Sequence, residues 1–68
     1  METRYIVTGM TCQHCVAHVT EEVSAIDGVK SVDVVLEGPM TVVSDAPIDF
    51  AAISEAVAEA GDYKVSLA

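Results

Sequence analysis

Residues 15–44 read CVAHVTEEVSAIDGVKSVDVVLEGPMTVVS, and the period of their apolar positions changes partway along. Val16, Val19, Val23 and Ile26 are spaced by three, four and three residues, which puts them on one stripe of a helix. Asp27-Gly28 ends that helix, with glycine available for a left-handed cap. Val29 to Leu36 is valine-rich, and Val32, Val34 and Leu36 alternate as a strand does. Glu37-Gly38-Pro39 turns the chain, and Met40 to Ser44 follows as the hairpin partner of that strand.

The reading extends in both directions from this helix-strand-strand unit. Upstream, Arg4 to Thr8 alternates with Tyr5 and Val7 on one face, a first strand, and Gly9-Met10-Thr11 is a loop. Downstream, Asp49 is an N-cap for a second helix whose stripe is Phe50, Ile53, Val57 and Ala60. Gly61-Asp62 stops it, and Tyr63, Val65 and Leu67 alternate as a short last strand. The order β-α-β-β-α-β predicts an α+β fold. It is the ferredoxin-like βαββαβ sandwich, with two helices covering one face of a four-stranded antiparallel sheet. No linker or low-complexity stretch divides residues 1–68, which read as one domain. The helical valine stripe needs no function beyond the core.

Composition narrows the function. A chain of 68 residues buries only about 60% of its unfolded surface, so there is little wall from which to build an enzyme cleft. Eleven Asp and Glu face only Arg4, Lys30 and Lys64, for a net charge of −8. That charge repels phosphate backbones and anionic membrane surfaces. It favours a protein partner with a basic face, and it also keeps a small domain soluble. Apolar runs are short and broken by charges, so no direct membrane insertion is expected. METRYIVTGM lacks a basic leader followed by an apolar stretch, and the expected location is the cytoplasm. In that reducing compartment a close cysteine pair points to metal or redox chemistry rather than to a structural disulfide.

Both cysteines of the chain lie in the run Gly9-Met10-Thr11-Cys12-Gln13-His14-Cys15. Cys12 falls in the loop and Cys15 at or near the first helical turn. Sulfurs three residues apart across a helix start can face one point, where partial positive charge and spare N–H groups favour thiolate. Cys15 is closer to those N–H groups and is expected to have the lower pKa of the two. Thiolate is both nucleophile and metal ligand, so C-x-x-C alone serves redox and metal chemistry alike. A closed structural zinc site wants four ligands, and no second C-x-x-C or downstream His pair supplies them. Two soft thiolates with no obligatory third ligand suit a soft ion of low coordination number, with Cu(I) first. His18 falls on a helical flank outside the valine stripe.

The run G-M-T-C-Q-H-C, with its M-x-C-x-x-C signature, resembles the metal-binding loop of the heavy-metal-associated domain family. The likeness extends over nearly the whole chain, from the first strand through the hairpin and second helix. It is strongest to free-standing bacterial copper chaperones. The resemblance implies the ferredoxin-like fold and Cu(I) bound by Cys12 and Cys15. It also implies delivery to the metal-binding domain of a copper-transporting P-type ATPase. It implies that Met10 supports the loop from the core, and that Tyr63 stands near the metal loop. It places His14 where several bacterial chaperones carry a histidine that tunes the thiols or joins copper clusters in a copper-linked homodimer. One departure is that Asp62 separates Gly61 from Tyr63, where the family aromatic commonly follows glycine directly.

Three other readings compete. A detached metal-binding domain of an ATPase would have the same loop. A thiol–disulfide oxidoreductase fits C-x-x-C, but the chain is short for a thioredoxin fold and has no Trp beside the motif. A mercury-binding member of the family would carry the leader that is missing here.

Overall fold

The computed structural model describes residues Met1–Ala68. The elements run β1 (Glu2–Thr8), α1 (Gln13–Ser24), β2 (Val29–Val34), β3 (Pro39–Ser44), α2 (Phe50–Ala60) and β4 (Lys64–Leu67). The strands form one sheet in the order β2-β3-β1-β4, and every neighbouring pair is antiparallel. Two helices on a four-stranded antiparallel sheet is the predicted ferredoxin-like fold.

The core lies between the sheet and the helices. Tyr5 and Val7 from β1, Met40 and Val42 from β3, Val19 and Val23 from α1, and Ile53, Ala56 and Val57 from α2 are all buried. Strand alternation selects the first four and the helical stripes select Val19, Val23, Ile53 and Val57, while Ala56, beside Val57 and outside the expected stripe, joins them in place of the partly buried Ala60. The hydroxyl of Ser44, a buried polar residue, donates to the Ala46 carbonyl at 2.7 Å, which removes the cost of burying it.

Several expectations are corrected in detail. β1 begins at Glu2, because the first residues pair with the end of β3, Glu2 opposite Val43. α1 ends at Ser24 and is capped at Ala25, whose N–H donates to the Glu22 carbonyl at 3.3 Å, while the Ile26 N–H donates to the Val23 carbonyl at 3.1 Å. Gly28, with φ +90, therefore lies in the turn leading into β2 rather than capping the helix. β2 stops at Val34, and the turn occupies residues 35–38, closed by Gly38 N–H to the Val35 carbonyl at 2.9 Å. Pro39 is then the first residue of β3, a position where its missing N–H does no harm.

Two apolar residues assigned to core-facing rows lie outside. Phe50 is 40% exposed and Leu67 65% exposed. Each stands at the terminus of its element, where the partner layer no longer covers it. Phe50 packs at the rim instead, with its ring centroid 6.2 Å from that of Tyr5.

Candidate metal centre

The site is built where β1 hands over to α1. Gly9 leaves the strand with φ +99, in the left-handed region that favours glycine. A Cβ there would also come within 3.1 Å of the Asp62 carbonyl. Met10 turns inward and packs against the core. Cys12 is the N-cap of α1, with extended backbone (φ −157, ψ 173). Its carbonyl accepts from the N–H of Cys15 at 3.1 Å and of Val16 at 3.4 Å, so the first turn is closed by backbone alone. No side chain caps this helix, which leaves the Cys12 sulfur uncommitted.

Both thiols are free, with Cys12 exposed and Cys15 half-buried. Their sulfurs stand 3.7 Å apart. Two metal–thiolate bonds of about 2.3 Å can meet at one ion across such a gap. No third His, Cys, Asp or Glu is gathered with them. His14 lies between them in sequence but is exposed, at the second position of α1. His18 stands a turn further on, also exposed.

The electrostatics favour thiolate at Cys15. Its pKa is lowered to about 6, first by the Thr11 backbone N–H, then by the Tyr63 hydroxyl, the Cys12 backbone N–H and the Thr11 hydroxyl. The Thr11 Oγ1 lies 3.8 Å from the sulfur. The amides responsible thus belong to the loop and the cap, because the N–H of Cys15 itself is committed to the Cys12 carbonyl. The first turn of α1 contains no acidic residue, in a chain with eleven of them. The positive end of the helix is therefore left for the sulfurs. Tyr63 shows the reciprocal effect: its pKa is raised, first because its hydroxyl donates toward Cys15.

What holds Tyr63 there is a pair of glycines that sequence reasoning passed over. A Cβ on Gly61 would lie 2.8 Å from Cε2 of the Tyr63 ring, and one on Gly9 would lie 3.4 Å from its Cδ1. The ring occupies space that only hydrogen at these two Cα atoms leaves open. The Tyr63 N–H donates to the Gly61 carbonyl at 2.9 Å, so the intervening Asp62 is taken up in a tight turn. The aromatic therefore stays beside the loop despite the extra residue.

Two outcomes test this arrangement. Tyr63→Phe keeps the ring and removes the hydroxyl, so the Cys15 pKa should rise from about 6 toward the ordinary thiol value. The pH midpoint of iodoacetamide labelling at Cys15 should move up with it, and an unmoved midpoint would remove Tyr63 from the site. Met10→Leu preserves volume and should cost less than about 1.5 kcal/mol in urea unfolding. A large loss of metal affinity with unchanged stability would instead make the Met10 sulfur a ligand.

Known proteins share this fold. The chain is 40% identical over 63 residues to the copper chaperone CopZ of Enterococcus hirae, covering 90% of this chain and 91% of that one. A solved CopZ metallochaperone matches with a TM-score of 0.86 at 31% identity, over 97% of this chain and 100% of that one. A copper-binding domain from HMA7, a P-type ATPase, matches with a TM-score of 0.85 at 26% identity, over 98% and 92% of the two chains. The model of the heavy-metal-associated domain matches residues 4–62, a span that takes in the whole loop and both helices. The chain belongs to the heavy-metal-associated domain family.

Proposed function

We propose that this chain is a cytoplasmic Cu(I) chaperone. In this reading Cys12 and Cys15 hold one Cu(I), and the acceptor is the metal-binding domain of a copper-transporting P-type ATPase. The observation that carries the reading is the sulfur pair, 3.7 Å apart at an exposed helix start, with Cys15 already favouring thiolate. Two soft anionic ligands without a gathered third one prefer Cu(I) over an ion that needs four. Similarity to a copper chaperone and to a copper-binding ATPase domain supports both the cargo and the kind of acceptor.

Exposure of Cys12 lets an acceptor approach the ion. An acceptor thiolate adds as a third ligand, and Cys12, the more exposed sulfur, is the first to leave. A second acceptor thiolate then displaces Cys15. Each step makes one copper–sulfur bond and breaks one, so the copper is never released to water. Thr11 and Tyr63 stabilise the Cys15 thiolate as it is uncovered. His14, exposed beside the pair, is the side chain that would reach a shared ion in a copper-linked homodimer.

Anaerobic titration of the reduced protein with Cu(I) against a competing chelator should give one tight ion per chain, unaffected by equimolar Zn(II). Incubation of the loaded protein with an ATPase metal-binding domain should move copper to that domain. Anion exchange separates the two, because this chain carries a net charge of −8. Preference for Zn(II) in the titration, or copper that stays with this chain at any acceptor concentration, would overturn the reading.

A further inference from the structure

His14 and His18 stand four residues apart within α1, and both are exposed. On a helix that spacing places side chains one turn apart on the same face, with Cβ atoms about 5–6 Å apart. Two imidazoles so placed can close on a single ion, as the histidines of helical H-E-x-x-H zinc sites do. His18 also borders a groove of about 320 Å³ between α1 and α2, whose other lining residues are Glu21, Glu22, Glu59 and Ala60. None of these three carboxylates is in an ion pair, since the salt bridges of the chain are Arg4–Glu2 and Lys30–Asp45. His18 of the pair therefore adjoins a concentration of unbalanced negative charge, which raises the local concentration of cations.

We propose that His14 and His18 form a second metal site, a two-imidazole chelate for a divalent ion of the imidazole-preferring class, Cu(II), Ni(II) or Zn(II). No third protein ligand is gathered with the two rings, so water completes the coordination shell and Glu21, Glu22 and Glu59 act through their field. The site differs in kind from the cysteine pair. Thiolates select a soft monovalent ion and imidazoles a borderline divalent one. It rests on the spacing of the two histidines and the acidic groove, and stands whether or not the cysteines carry copper.

Cu(II) is the probe of choice, because among divalent first-row ions it binds a given site most tightly. The test uses full-length Cys12→Ser/Cys15→Ser protein, so that thiols neither compete for Cu(II) nor reduce it. Titration at pH 7.5 in a non-coordinating buffer should saturate at one Cu(II) per chain, with electron paramagnetic resonance showing two nitrogen ligands. In that background His14→Ala and His18→Ala should each weaken binding at least about tenfold, since even losing an outer-shell partner of a metal ligand costs that much. Both side chains are exposed, so the variants should keep the circular dichroism of the parent. Unchanged affinity in either histidine variant, or a copper signal without the two-nitrogen pattern, would overturn the proposal.

Discussion

Cys15→Ser is expected to abolish tight Cu(I) binding, and Cys12→Ser to do the same, while either variant unfolds at the same urea concentration as the parent. Cu(I) binding by a pair of thiolates has no intermediate strength to fall back on here, because no third His, Cys, Asp or Glu is gathered beside them. Serine offers a hard oxygen to a soft ion. Stability should not follow affinity, because neither sulfur is in the core and the first turn of α1 is closed through the Cys12 carbonyl, which serine retains. A single variant that keeps full affinity in chelator competition would show that the pair is not the site.

The pH dependence of the parent adds a signed expectation. Cys15 titrates at about 6, so above that pH its thiolate is already present and metal need not displace its proton. Apparent affinity should fall as pH drops through about 6, as the ion begins to compete with that proton.

The second large effect lies in the core. Ile53→Ala should destabilise the domain by roughly 2–5 kcal/mol in urea unfolding. Ile53 is fully buried on the face of α2 that covers the sheet, among Val19, Val23, Met40 and Val57. Domains carry only about 0.05–0.15 kcal/mol of stability per residue, so a chain of 68 residues could lose much of its reserve. Phe50→Ala is the control. Phe50 begins the same helix but is 40% exposed, with its ring 6.2 Å from that of Tyr5. Its loss should cost clearly less, although the side chain removed is larger. Equal costs at the two positions would contradict the placement of the core.

Element order, layers and the residues of the loop were all legible in the sequence. Val19 and Val23 in one helix, Ile53 and Val57 in the other, and Tyr5 and Val7 in β1 announce their buried faces by period alone. Side-chain direction in a helix or strand follows from backbone geometry, and periodicity reports it. Element ends were less legible. Phe50 and Leu67 continue apolar rows that the partner layer does not cover, and Pro39 begins a strand where it reads as a turn.

The tuning of the cysteine pair comes from long-range packing. Cys12 and Cys15 stand together in the sequence, but the groups that lower the Cys15 pKa are a loop amide, a cap amide and a tyrosine 48 positions away. Tyr63 stands beside the loop because Gly9 and Gly61, at opposite ends of the chain, each leave room for one side of its ring. Such a contact has no period and no local pattern. It exists because antiparallel pairing of β1 with β4, Thr8 opposite Lys64, brings the end of the first strand beside the start of the last. Chain topology sets that distance, and local residue preference carries no record of it.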